Sequence, residues 1–507
     1  MELPVVMGIV ERELLQAAES HQMLLEPDAM RELMSCAEPK AVLEQAVALA
    51  KSQDEFMIRH SLVAEVIAAR STEFKAPAVV LERLRFDAPA KNAEPNIRLF
   101  KDREVTRKSR CTGKIEDFVA HFNDRFTQMK GLLSGRRSEY PVVDRLNRAA
   151  ARGQREKMRL IGMVYEKRTT KNGHVLIELE DETGSVTGLV SKNSKILGLT
   201  AGLLDDEVVA LDGFFNGDLF IIDDIVWPDV PIRDKKRAEA DVNIGFLSDL
   251  HVGSKFFLQN QFQHFLEFLN GKGSAEEQEV AGKIKYLFIA GDLVDGIGVY
   301  PTQEKQLVTK DIYQQYKAMG EFLMQIPDHI HVILAPGNHD AVRTAEPQPA
   351  LFDEFAQGLE KKDNMHLVGN PAWFEVEGLK VLMYHGTSLD SLIASMNMPE
   401  GYVHPERMGI ELMKRRHLAP TYGDKPLVPE HRDYMVVGEA PDIFHFGHVH
   451  KNGYADYRGT FVINAGTWQD TTDFQKRIGH VPSPCQFPVY NVSSGSLRVL
   501  DFRGAPA

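Results

Sequence analysis

Cysteine is scarce in this chain: three residues in 507, at Cys36, Cys111 and Cys485. They lie too far apart in sequence for a disulfide framework or for zinc sites built from paired thiolates. Long hydrophobic runs are missing too. No stretch of eighteen apolar residues occurs, and the opening "MELPVVMGIVERELLQAAES" carries acids early, with no basic segment leading into a hydrophobic core. Neither a membrane span nor a secretory signal is expected, so the chain reads as cytoplasmic with no membrane partner. Positive charge is also in short supply. Fifty-nine Lys and Arg against 72 Asp and Glu give a net charge of −13, which argues against coating nucleic acid over the whole surface and leaves room for one basic cleft.

What is present is ordinary globular composition, 43% apolar and 26% charged, in a chain long enough for two to four domains. The expected class is multidomain α/β. Residues 1–75 read as helical: Val6, Ile9, Val10, Leu14 and Leu15, then Ala41, Val42, Ala46, Val47, Leu49 and Ala50, recur at three- and four-residue spacing. "EPDAMRELM" and "EPKAVLEQAV" place proline at helix starts. A small helical domain of this kind is expected to dock a partner rather than carry chemistry.

Residues 76–154 read as a basic linker. "EFKAPAVVLERLRFDAPAKNAEPN" has no sustained period, and across 101–160 Lys and Arg outnumber Asp and Glu by about two to one. One helix is expected within it, over 113–133, with Ile115, Phe118, Phe122, Phe126 and Met129 on one face. A basic tract beside aromatics suits a nucleic-acid backbone, although a solvated linker is the plainer reading. Over 155–232 the pattern turns to short alternating strands, "MRLIGMVYEKR", "GHVLIELED", "GSVTGLVS", "DEVVALDGFFN" and "DLFIIDDIVWP", with a helical insert near "NSKILGL". Five such strands match an OB-fold barrel. Its few aromatics suit packing against a partner at least as well as reading single strands.

Residues 238–507 alternate buried strands with helices, as a layered α/β domain does. Polar motifs follow the apolar runs: "SDLHVGS", "GDLVDG", "GNHD", "YHGTS" and "GHVH". They supply Asp249, His251, Asp292, Asp295, Asn338, His339, His385, His448 and His450. In extended chain, residues two apart point the same way, so each D-x-H or H-x-H pair is expected to feed one cavity from one strand end. Carboxylate, imidazole and amide donors suit a divalent transition ion, and the number of groups suits two ions sharing a carboxylate. Manganese is the first expectation, with Fe²⁺ or Zn²⁺ as alternatives. A lone histidine or acid at a strand end is more often packing, and that bland reading is given to His445, Asp340 and Asp390.

Taken in order, D-x-H, G-D-x-x-D, G-N-H-D, a lone H-G and G-H-x-H resemble the calcineurin-like metallophosphoesterases. Within them, the placement after a barrel and the wording "LSDLHVGS", "LAPGNHD" and "HFGHVH" resemble the small subunits of archaeal D-family DNA polymerases, closely over 155–507 and loosely before that. The resemblance implies that Asp249, His251 and His450 hold one metal, that Asn338, His385 and His448 hold the other, and that Asp292 bridges. It implies that His339 stands unliganded beside the phosphate and that Asp295 orients it. It further implies a proofreading 3′–5′ exonuclease working on a single-stranded or mismatched DNA 3′ end, paired with a large catalytic subunit, with the sliding clamp as a further candidate partner. No metal position departs from the pattern. Two other readings compete: a phosphatase or repair nuclease using the same metals, and a scaffold without catalysis.

Overall fold

The computed structural model describes residues 9–35, 39–53, 55–71, 86–143, 145–147, 156–423 and 425–504. Val6 and parts of the expected linker (76–85, 144 and 148–154) lie outside the described residues. The chain forms two compact units, Met1–Ala78 and Val79–Ala507. Among the described residues no helix is long and apolar enough to cross a membrane.

The first unit is helical, as its periodicity requires. Helices Ile9–Ser20, Pro27–Ser35, Pro39–Ser52 and His60–Ser71 enclose Leu14, Leu33, Leu43, Ala46, Val47 and Val63. Two of the helices begin at the prolines of "EPDAMRELM" and "EPKAVLEQAV", where a missing N–H costs nothing. A short parallel pair, Leu24–Leu25 with Met57–Ile58, ties the loops together.

In the second unit, all five expected barrel strands form: Met158–Thr169, Val175–Asp181, Gly184–Val190, Val208–Asn216 and Leu219–Val226. Their order is first, second, third, fifth, fourth, and pairing of first with fourth closes the barrel. Register shifts at Val164/Glu166 and at Asp212/Gly213 supply the bends that closure needs. The insert is a short 3₁₀ helix, Leu197–Gly202. Phe215, Phe220 and Trp227 are spent inside the barrel, while Tyr165 faces solvent.

Two six-stranded sheets make up the remainder, where strand-end reasoning anticipates a single sheet edge. The first runs Met365–Leu367, His331–Ala335, Ile284–Ala290, Asn243–Leu247, Gln486–Asn491, Leu497–Asp501. The second runs Asn452–Tyr457, Thr460–Ala465, Ile443–Phe446, Leu379–Tyr384, Ala372–Val376, Ile97–Leu99. Their inner faces share one core, in which Phe246, Phe288 and Ile333 meet Phe374, Met383 and Ile463. Helices cover the outer faces. Gln259–Leu269 packs Phe265 on Phe487 at 4.7 Å between ring centroids, and Pro405–Arg415 packs Met408 and Leu412 over Phe444 and Phe446.

The described part of the expected linker is not a solvated tether. Ile97–Leu99 is the edge strand of the second sheet, and the helix Ile115–Ser134 packs against the barrel and the sheet domain. Its buried stripe shares only Met129 with the apolar face read from sequence. Ile115 is 78% exposed and Phe118, Phe122 and Phe126 are half-buried, whereas Asp117, His121, Arg125, Met129 and Leu133 are buried at four-residue spacing. Some basic side chains of this tract are consumed by structure: Arg125 on Asp433, Arg159 on Asp212, Arg136 on the Pro228 carbonyl.

His445 lies between the sheets, fully buried, its ring 5.0 Å from that of Phe246 and both ring nitrogens without a hydrogen-bond partner. Burial pushes its pKa down to about 3. The unfolded chain, near 6.5, takes up a proton that the folded chain refuses, so stability falls as pH drops from about 6.5 toward 3. His445→Leu is expected to hold or raise the urea midpoint at pH 7.5, by up to about 1–3 kcal/mol for the relieved polar atoms, and to lose less between pH 7.5 and 5 than the parent. An equal loss in both proteins would contradict this.

Candidate metal centre

The ligand-bearing loops leave both sheets at their C-terminal ends. Asp249, His251, Asp292, Asp295, Asn338 and His339 follow strands of the first sheet; His385, His448 and His450 follow strands of the second. The D-x-H and H-x-H pairs are not extended. Strands Asn243–Leu247 and Ile443–Phe446 end before them, and Asp249, His251, His448 and His450 all have left-handed φ, between 52° and 73°, as does Asp292 at 51°. Alternation along a strand is therefore not what brings each pair together. Tight left-handed turns do, at a backbone cost that non-glycine residues rarely bear outside functional sites. Two glycines permit the approach: a Cβ on Gly337 would collide with the Asp292 carboxylate, and one on Gly447 with that of Asp249.

Three groups of possible ligands form, each with its donor atoms within 4.8 Å of one another: Asp249 with His251 and His450, Asp292 with His385 and His448, and His251 with Asp295 and His339. Asp292 sits between the first two groups. Its Oδ2 is 3.4 Å from His385 Nε2, 3.6 Å from His251 Nε2 and 3.9 Å from His339 Nε2. Asn338 Oδ1 lies 2.9 Å from His385 Nε2. All nine residues singled out in the sequence thus converge.

Their second atoms are fixed by the surroundings. His251 Nδ1 is 3.0 Å from Asp295 Oδ1, His385 Nδ1 2.8 Å from the Ala290 carbonyl, and His448 Nε2 3.0 Å from Asp390 Oδ2. Each oxygen accepts the ring's N–H and leaves the other nitrogen facing the cluster, the usual way a metal-binding imidazole is oriented. The Asp295 carboxylate is thus turned to His251, not to His339; only the Asp295 backbone carbonyl meets His339, 2.7 Å from Nδ1. Asp390, read as packing on sequence grounds, is in turn held by Lys425 Nζ at 2.9 Å and the Tyr402 hydroxyl at 3.0 Å. Gln469 and Gln475 carry no sequence signal; they lie 3.0 Å from Asp295 Oδ1 and 2.9 Å from His450 Nδ1. Asp340 is a brace, accepting the N–H groups of Gly337 and Leu293 and the Tyr316 hydroxyl.

Electrostatics favour cations here. Burial opposes every charge, yet Asp292 and its neighbours raise His385 to about 10, and Asp295, Asp292 and Asp249 raise His251 to about 8. Against the same burial, the carboxyls of Asp249 and Asp292 stay below their ordinary range, the first chiefly through His450 and the second through His385. Burial prevails at His339, which is lowered, and at His450, which falls to about 4. Asp249 Oδ1 is buried with no hydrogen-bond partner and lies 3.4 Å from His450 Nε2. An orphaned carboxylate oxygen among inward-facing imidazole nitrogens is a donor set that fits divalent metal. A cavity of about 670 Å³ opens on the cluster, lined by His251, His339, His448 and His450 among others.

Residues 244–453, which contain every one of these ligand positions, match the B-subunit family of DNA polymerases alpha and epsilon. Most of the sheet domain is thus similar to the B subunits of DNA polymerases. The relatives that align along most of the chain are more specific. The DNA polymerase II small subunit of Archaeoglobus fulgidus is 41% identical over 400 residues, 78% of this chain and 79% of that protein. That of Methanocaldococcus jannaschii is 42% identical over 411 residues, 80% of this chain and 68% of its own. The chain belongs to the family of archaeal DNA polymerase II small subunits. A solved archaeal phosphodiesterase aligns with 51% of this chain and 99% of its own at 14% identity, with a TM-score of 0.26, too low to bear on the site.

Proposed function

We propose that this chain is the proofreading 3′–5′ exonuclease subunit of a two-subunit DNA polymerase and also a scaffold for its large catalytic subunit. The observation that carries the reading is the position of Asp292 Oδ2, within 3.4–3.6 Å of a ligand nitrogen from each of two adjoining groups. Residues 155–232 are read as an OB-fold and 238–507 as a calcineurin-like phosphoesterase domain. Residues 1–75 are read as a partner-docking module joined through 76–154, with the sliding clamp as a further candidate partner.

Asp249, His251 and His450 would hold one divalent ion, Asn338, His385 and His448 the other, and Asp292 both. Manganese is the first candidate, with Fe²⁺ or Zn²⁺ as alternatives. Bound there, two such ions supply Lewis-acid polarisation of a phosphodiester and activation of water. The chain's own work is positional. Asp295 fixes the His251 tautomer, Ala290 that of His385, and Asp390 that of His448. His339, tied through Nδ1 to the Asp295 carbonyl, presents Nε2 beside Asp292 at the cavity floor, where it can hold the proton that leaves with the 3′ oxygen.

Asp390→Ala is expected to weaken one of two Mn²⁺ sites by about 10–100-fold, since it frees the His448 ring to turn. Titration calorimetry reads this directly, and two sites of unchanged affinity would refute the role. The function itself is tested by substrate choice with Mn²⁺: trimming of a 3′-labelled mismatched primer is expected. Turnover of p-nitrophenyl phosphate with the primer left intact would favour a phosphatase.

A further inference from the structure

The cavity over the cluster has a polar floor and an apolar side. On that side stands the short helix Asp473–Ile478, opened by a reciprocal cap in which Gln475 N–H donates to Thr472 Oγ1 at 3.2 Å and Thr472 N–H to Gln475 Oε1 at 3.0 Å. The buried Gln475 then reaches His450 Nδ1 at 2.9 Å. The helix is thereby held in register with a candidate metal ligand. Phe474 and Ile478, four residues apart and so neighbours on one helix face, also line the cavity, at 52% and 57% exposed. Arg477, exposed on the same helix, lines it too and makes no ion pair among the described residues. Tyr300 and Tyr402 complete the aromatic lining, but their hydroxyls are tied to Gln306 and Asp390. Phe474 has no such tether. Single exposed apolar residues need no explanation; a phenylalanine and an isoleucine side by side, facing a cavity floored with imidazoles on a helix that Gln475 ties to one of them, do.

We propose that Phe474 and Ile478 form the platform on which the terminal nucleobase of an unpaired 3′ end rests while its phosphodiester lies over the cluster, with Arg477 set against the backbone. This rests on the nuclease reading above. A nucleobase is the occupant that joins the two surfaces, because the same molecule brings a phosphate to the polar floor and a flat apolar face to the wall. Stacking on an aromatic side chain is tolerant of sequence, as trimming any terminal nucleotide demands. It also offsets the stacking lost when the end frays. Fraying costs least at a mispair, so the platform favours mismatched ends.

The test crosses a protein change with removal of the base. Oligonucleotides ending in an ordinary nucleotide or in an abasic one are bound, in EDTA, to the purified full chain and to Phe474→Ala. They are then trimmed with Mn²⁺ present. The parent is expected to prefer the ordinary end by roughly tenfold, within the range aromatic stacking supplies, and Phe474→Ala to bring that ratio close to one. Phe474→Trp should restore it, which separates a platform from a merely structural role. A ratio unaltered by Phe474→Ala overturns the platform, as does loss of large-subunit copurification with the ratio intact. Base-selective binding in EDTA without any Mn²⁺-dependent trimming would leave the platform standing and sink the nuclease reading instead.

Discussion

Replacing Asp292 by alanine is expected to cut Mn²⁺-dependent removal of 3′-terminal nucleotides at least about a thousandfold, roughly 4 kcal/mol of barrier. No other carboxylate among the described residues faces so many imidazoles. Oδ2 lies 3.4 Å from His385, 3.6 Å from His251 and 3.9 Å from His339, and Oδ1 accepts the His339 backbone N–H at 2.9 Å. One substitution therefore removes a ligand from both proposed ions and one of the two anchors of the candidate proton carrier. The fold should survive it, because Asp340 still braces the same loops through Gly337 and Leu293. Burial and Asp292 together hold the Asp340 carboxyl up at about 6, so losing Asp292 eases Asp340 toward its ionised form. Trimming within tenfold of the parent, in a protein with unchanged circular dichroism, would leave only the scaffold role.

Arg125→Ala is expected to cost about 3–5 kcal/mol locally, the usual consequence of leaving a buried charge unpaired. Arg125 Nε donates to Asp433 Oδ2 at 2.7 Å, and both side chains are almost wholly buried. Asp433 also meets His417 Nε2 at 2.9 Å and His121 Nε2 at 3.3 Å. In the parent His417 is no counter-ion at neutral pH, since burial and then Arg125 push it down to about 4, and burial still opposes its charge once Arg125 is gone. The loss should appear as hydrogen-exchange protection falling about 10²–10⁴-fold over the helix Ile115–Ser134, with the barrel strands little changed. The double change Arg125→Met with Asp433→Leu should recover much of it, because an apolar pair leaves no orphaned charge. Unaltered protection in Arg125→Ala would mean that Met129 and Leu133 alone seat the helix.

These two residues mark the limits of what the sequence discloses. Asp292 is legible because it ends an unbroken apolar run, "KYLFIAGD", and four more such runs end in ligand types. The barrel is legible for a similar reason: "TKNG", "DETG" and "FNGD" turns cut alternating segments to the right lengths. Arg125 is not, because hydrophobic periodicity weighs Phe118 and Phe122 above a stripe of Asp, His and Arg. Only the pairing of Arg125 and His121 with Asp433, some three hundred residues on, makes that stripe the inward one. Asp390 escapes notice likewise: its partner His448 lies 58 residues away, and the left-handed turn that aims the ring has no period to detect. Division of the strands between two sheets is equally hidden, since apolar runs look alike whichever sheet they join.

The central claim is that two metals share Asp292. Anomalous diffraction from Mn²⁺-soaked crystals of the full chain tests it most directly. The account predicts two peaks about 3.5–4 Å apart, one bounded by Asp249, His251 and His450, the other by Asn338, His385 and His448, with the Asp292 carboxylate between them. A single peak, or none at the cluster under saturating Mn²⁺, would contradict it.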